Sequence, residues 1–217
     1  MKFDDSNKIG MIGESLFERY ISSKGKKYKD VRDIKNFQYL DMDFVLFNPD
    51  VYTEDDTCLD VFYESDIRSG NPSIYLRRRN EIGMGVEVKV DCVTHNRKRR
   101  KDGTISDGTG NMVYEIISHN MPGCLARTYA DYILYVCVDD FDETGVYKFA
   151  KVYLVETIKL RAWITKKKNE CYLKPKSIEM IDGKVENINN YLILVEKLVK
   201  DEVFIDVTDL YEPFFES

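Results

Sequence analysis

Hydrophobic positions change their period several times along the chain, and each change marks an element. Ile9, Ile12, Leu16, Phe17 and Tyr20 recur at helical spacing, which predicts an amphipathic helix over Lys8–Lys24 with Gly25 as its stop. At about 100° per residue, Glu14 falls at the edge of that stripe beside Phe17 and Ile21, where core meets solvent. Tyr28–Ile34 reads as a strand. Asp43–Phe47 is a short apolar run of buried-strand type, ended by Asn48-Pro49-Asp50 as a turn. Gly83–Val90, Met112–Ser118 and Tyr132–Asp139 read as further strands, with a short helix or turn over Gly123–Tyr129. Val152–Glu156 leads into a helix over Thr157–Lys168, whose Leu160, Trp163 and Ile164 are core contacts. Tyr191–Ile193 and Val203–Val207 are strand pieces around a helical Leu194–Lys200. Asp50–Asn80 offers only short apolar runs, and Cys92–Asn111 reads as a mobile loop.

These elements predict an α/β fold with the helix first and three or four central strands. Residues 1–150 form the core, with an insertion around 50–82. Residues 151–217 form an accessory segment packed on it. The chain has 217 residues, of which 43% are apolar and 12% aromatic, enough to bury a core and to exclude disorder as the main state. No apolar run approaches the roughly 18 residues a membrane span needs, and no apolar signal region follows Met1–Asp5. Cys58, Cys92, Cys124, Cys137 and Cys171 are odd in number and never form a CxxC pair. Their spacing fits reduced thiols in a cytoplasm and neither a zinc site nor a disulfide scaffold. With only His95 and His119, both read as loop residues, a multi-histidine metal centre is excluded too.

A net charge of −6 argues against bulk coating of nucleic acid, but its distribution changes the picture. Asp41–Asp66 holds nine acids and no base. Ile67–Lys101 holds ten bases and three acids, including Arg77-Arg78-Arg79 and the run Arg97, Lys98, Arg99, Arg100, Lys101. Taken alone, a basic run is most often a solvated face. Beside acidic clusters, it supplies what a metal-dependent phosphodiesterase needs: carboxylates for a cation and cations for the phosphate backbone.

Two strands break their own patterning. In Val86-Glu87-Val88-Lys89-Val90, a period of 2 puts Glu87 and Lys89 on one face and the valines on the other. Such charges are costly inside an apolar strand unless paired or metal-bound. Asp43 is a second case, a carboxylate opening a run that wants burial. Asp33-Ile34-Lys35 and Asp182-Gly183-Lys184 share the acid-x-Lys pattern but read as a ragged strand end and a turn. Asp41 shares parity with Asp43 as an auxiliary acid or a strand-end cap, and Glu115 is a further anomaly in Met112–Ile117.

A helix bearing Gly13-Glu14 and Leu16-Phe17, Asp43 opening an apolar strand, then Glu87-x-Lys89 and Ala130-Asp131-Tyr132 running into a strand: this order resembles the PD-(D/E)xK nuclease superfamily, in its restriction-endonuclease-like and Holliday-junction-resolvase-like branches. The likeness covers roughly residues 7–140, and the C-terminal third is similar to accessory segments of phage-borne members. It implies a mixed sheet flanked by helices and a Mg²⁺-dependent deoxyribonuclease, with Mn²⁺ able to substitute. Asp43, Glu87 and the Val88 carbonyl would hold the ion, Lys89 would act on water and phosphate, and Glu14 would bind a metal-bound water or a second ion. No Pro precedes Asp43, and the long gap to Glu87 requires the insertion. The alternative is a module on the same fold that binds nucleic acid or protein without cleaving. A duplex cut on both strands often calls for a symmetric pair, so a homodimer is one arrangement that would serve.

Overall fold

The computed structural model describes residues 3–38, 40–47, 83–92, 94, 98–99, 104–106, 108–118, 121–139, 148–173, 177–181 and 184–215. It begins with α1 (Phe3–Ser23), β1 (Tyr28–Asp30), the single turn α2 (Lys35–Gln38) and β2 (Phe44–Phe47). Next come β3 (Gly83–Asp91), β4 (Lys98–Arg99), β5 (Ile105–Ser106), β6 (Asn111–Ser118), β7 (Met121–Pro122) and α3 (Cys124–Arg127). Strands β8 (Tyr132–Asp139) and β9 (Lys148–Glu156) lead to α4 (Thr157–Lys167). The rest comprises β10 (Tyr172–Leu173), β11 (Ser177–Ile181), β12 (Lys184–Leu194), α5 (Val195–Lys200), β13 (Phe204–Asp206) and α6 (Thr208–Tyr211). The Asp50–Asn80 segment, Pro49-Asp50, His95 and His119 lie outside the described residues.

Six strands form one mixed sheet in the order β1-β2-β3-β8-β9-β13. β1, β2 and β3 are an antiparallel meander, β3 and β8 run parallel, and β9 returns antiparallel to β8. Apolar residues on both faces of β8 explain its unbroken hydrophobic run: Leu134, Val136 and Val138 join one core, and Ile133, Tyr135 and Cys137 another. The first core is closed by Ile9, Leu16, Phe17 and Ile21 of α1 with Tyr211 of α6. The second is closed by Leu160, Trp163 and Ile164 of α4, Leu198 of α5, and strands β6 and β12. Strands from the last third extend both sheets: β13 pairs with β9, and β12 pairs with β6 in a second sheet that also holds β7, β10 and β11. No helix among the described residues is long and apolar enough to cross a membrane.

Three local outcomes differ from the sequence pattern. The first strand stops at Asp30, because Val31 turns into a third small core with Phe37, Met42 and Val45 while its N–H donates to the Asp43 carbonyl. The stretch expected as a mobile loop contains a two-residue ladder, Lys98 opposite Ser106 and Arg99 opposite Ile105. The piece expected at Tyr191–Ile193 is the end of an eleven-residue strand that lies between β10 and β6 and pairs with β11 over its first half. The helix stop is where the pattern put it, with Gly25 in the left-handed region at φ 61°.

α1 lies on β3 at Gly13. A Cβ there would sit 2.4 Å from Val90 Cγ2 and 3.2 Å from Val88 Cγ1, so only glycine permits this approach. Gly13→Ala gains about 1 kcal/mol of helix propensity. Against that, stiff β-branched neighbours must move, at about 1–3 kcal/mol. The expected net result is a lower midpoint in urea denaturation, recovered in part by adding Val90→Ala. A Gly13→Ala protein more stable than wild type would contradict this packing.

Candidate active site

The site forms where β2 begins beside β3. β2 starts at Phe44, opposite Val86, and the residue before it is Asp43. Asp43 donates its N–H to the Val86 carbonyl at 3.0 Å, and its Oδ2 accepts the Val88 N–H at 2.8 Å. The carboxylate thus continues the ladder that the β2 backbone leaves, which pins it against β3. The Glu87 carboxyl is near enough for the two acids to influence each other's protonation. Glu87 is 9% exposed, and its Oε1 also accepts a hydrogen bond from the Cys124 thiol at 3.1 Å.

Burial of both acids sets the electrostatics. Desolvation raises the Asp43 carboxyl to about 6, with the Glu14 charge adding to it and the Val88 N–H and Arg32 opposing. Desolvation also lifts Glu87 well above the carboxylate range, reinforced by the Asp43 charge and only partly offset by the Cys124 hydrogen bond. Both carboxyls therefore hold their protons to a higher pH than an exposed acid does. A cation between them would replace those protons.

Lys89 follows Glu87 on the same face of β3, as strand parity requires. Burial alone would depress its ammonium, but Cys124, Glu115, Glu87 and Asp91 outweigh this and hold its pKa above the ordinary lysine value. It lines a cleft of about 230 Å³ together with Asp91, Glu115, Leu125 and Tyr135. Asp91 is fixed by Thr94, whose N–H and hydroxyl donate at 3.1 and 2.6 Å, and by the Tyr135 hydroxyl. Glu115 of β6 therefore stands beside Lys89, on a strand outside the six-stranded sheet.

Glu14 comes to the same end of the sheet because Gly13 lets α1 settle on β3. Its Oε2 is paired with Arg32, which also binds Glu18 at 3.2 Å and Asp30, and lies 5.0 Å over the Phe44 ring. Asp41 takes the left-handed conformation at φ 46°, and its carboxylate holds Arg127 with two bonds, one of 2.8 Å. Its carbonyl accepts the Thr128 hydroxyl, so the turn before Asp43 is anchored to the segment leading into β8. Asp41 thus acts on the site through Arg127 and through its charge on Glu87.

Asp43 and Glu87 influence each other, the Glu14 charge acts on Asp43 and the Glu115 charge on Lys89, with Asp41 at the margin. Lys98 and Arg99 lie on β4, and Arg97, Arg100 and Lys101 lie outside the described residues. Among the described residues, no three acid, histidine or cysteine side chains form a ready cage for a metal. The donor set still suits Mg²⁺, which takes one or two carboxylates and keeps several waters. Sequence patterning missed Arg32, Asp91, Cys124 and Arg127. Asp91 alone carried a signal, since the parity of Glu87 and Lys89 extends to it. Comparison with protein-family models, with curated proteins and with solved structures finds no match for this chain.

Proposed function

We propose that this protein is a Mg²⁺-dependent deoxyribonuclease of PD-(D/E)xK type, with Mn²⁺ able to substitute. The observation that carries this is a pair of desolvated carboxyls, half-buried Asp43 and buried Glu87, that influence each other's protonation, with Lys89 next on the same face of β3 as Glu87. A mixed sheet flanked by helices also agrees with a restriction-endonuclease-like core. When bound, a divalent ion neutralises the phosphate, lowers the pKa of its water and steadies the leaving oxygen. Asp43, Glu87 and the Val88 carbonyl would hold it. Lys89 stays charged within its ring of acids, ready to orient water and bind a phosphate oxygen. Cys124 fixes one oxygen of Glu87, and Arg32 fixes Glu14. The basic run from Arg97 to Lys101 would bind the DNA backbone.

Glu87→Gln keeps the shape but removes charge, and Lys89→Ala removes the cation. Both should lower cleavage of plasmid, branched or single-stranded DNA by ~10²-fold or more, with DNA binding largely retained. A wild-type protein that binds these DNAs and never cuts them with Mg²⁺ or Mn²⁺ would identify a non-catalytic binding module instead.

The acid pair predicts a conflict between stability and function. Asp43 titrates at about 6 in the fold against 3.8 ordinarily, so the folded state keeps its proton longer than the unfolded chain does. Stability in EDTA should therefore fall as pH rises from about 4 to 6. Asp43→Asn, which retains an oxygen for the Val88 N–H, should be more stable than wild type at pH 8 by about 1–3 kcal/mol. Mg²⁺ should raise the melting temperature of wild type and not of the Asn variant. Equal stability of both proteins in EDTA across this range would contradict the buried pair.

Neutralising Arg97, Lys98, Arg99, Arg100 and Lys101 together should weaken binding similarly for all sequences. It should also flatten the salt dependence, since each lost phosphate contact removes a slope of roughly 0.9 on duplex DNA. An unchanged slope would take this run off the DNA-binding surface.

A further inference from the structure

Among the described residues, three cations neighbour the carboxyl pair, and they differ in the N–H groups they have left. Lys89 is half-buried in its cleft, within the ring formed by Glu87, Asp91 and Glu115. Arg32 uses four of the five N–H groups of a guanidinium on Glu14, Glu18 and Asp30. Arg127 is the open one, its side chain 42% exposed against 29% for Arg32. Its place follows from α3. Cys124 and Arg127 stand three residues apart on this single helical turn, which sets them at neighbouring positions of one face. The Cys124 thiol donates to Glu87 at 3.1 Å, and the Glu87 charge acts on Arg127 too. Arg127 therefore borders the carboxyl pair.

Its direction is fixed from the other side. Nε and Nη2 both donate to the Asp41 carboxylate, and Nη1 donates to the Pro122 carbonyl at 3.4 Å. A two-point clamp of this kind sets the plane of the guanidinium as well as its place. Two N–H groups remain, one on each terminal nitrogen, with no bond to the described residues. Stability does not account for the clamp. An ion pair with one exposed partner adds little, and Asp41 makes this one from a left-handed backbone at φ 46°. What the clamp supplies is an oriented cation with spare donors at the edge of the site. An anion with several acceptor oxygens fits those donors. The carboxyl pair opposes an anion when ionised, and a cation held between Asp43 and Glu87 would remove that opposition.

We propose that Arg127 binds a backbone phosphate of DNA through its two remaining N–H groups, held in position by Asp41. Arg127 touches the substrate in this arrangement, and Asp41 is a positioning residue that acts through it. The identity of the anion rests on the nuclease reading. The clamp and the spare donors do not.

The test is binding of a labelled duplex by the full chain across a salt series, in EDTA and again with Ca²⁺ in place of Mg²⁺. Arg127→Gln should weaken binding about tenfold, similarly for all sequences, and lower the salt slope by roughly 0.9. Arg127→Lys should restore the slope and only part of the affinity, because it keeps the charge without the planar donors. In wild type, the Arg127 side-chain ¹⁵N–¹H signals should shift on adding DNA and not on adding inorganic phosphate at the same concentration. This second measurement needs no variant, so it decides the matter even if Arg127→Gln folds poorly once Asp41 loses its partner. Unchanged affinity and slope in Arg127→Gln, full affinity in Arg127→Lys, or no shift with DNA in either condition would each overturn the contact. So would shifts with inorganic phosphate alone. A protein that gives the shifts and never cleaves DNA keeps the contact and loses the nuclease reading. One that cleaves without them loses only the contact.

Discussion

Two carboxyl groups meet inside a sheet, and much of the surrounding structure is arranged to hold them there. Asp43 ends up against Glu87 because β2 stops one residue short and the carboxylate takes over the Val88 N–H. That geometry works against folding: desolvation disfavours both charged forms, the Asp43 charge adds to this at Glu87, and both acids answer by holding their protons more tightly. Its surroundings compensate piecemeal. Cys124 donates to Glu87, Lys89 supplies a positive charge, and Arg32 anchors Glu14 nearby. Local strain of this kind tends to survive where it serves chemistry.

The left-handed Asp41 and the clamp on Arg127 extend this arrangement outward. Through the Thr128 hydroxyl and the Arg161 guanidinium, the turn before Asp43 is tied to the entry of β8 and then to α4. The acid pair and the start of α4 therefore share one supporting segment, Arg127–Asp131. Displacing that segment would be felt at both.

Parts of this were legible in the residues alone. Alternation in Val86–Val90 placed Glu87 and Lys89 on the face opposite the valines, and the unbroken run Tyr132–Asp139 marked a strand buried on both sides, because side-chain parity and burial are local to the strand. The helical stripe around Leu16 and Phe17 and the core role of Trp163 were readable for the same reason. What was not readable depends on partners distant in the chain. Asn187, Asn189 and Asn190 interrupt the apolar pattern of β12, so its full length follows only from pairing with β6 and β11. Arg32 looks like a surface cation beside Asp30 until α1 brings Glu14 and Glu18 to it. Cys124 looks like any buried thiol until the crossover from β3 to β8 sets it on Glu87.

The parallel pairing of β3 with β8 also governs when such a site comes into being during synthesis. Val86 meets Tyr132 and Asp91 meets Cys137, contacts separated by 46 residues of chain. Pairings of this separation carry a loop-closure cost before they return any stabilisation, which slows folding. A growing chain that has released α1, β2 and β3 holds all of Glu14, Asp43, Glu87 and Lys89, yet lacks the strand that pairs with β3 along Glu87 and Lys89. The surroundings of Glu87 and Lys89 are complete only after β8 has emerged, so they depend on completion of the sheet rather than on the appearance of the residues.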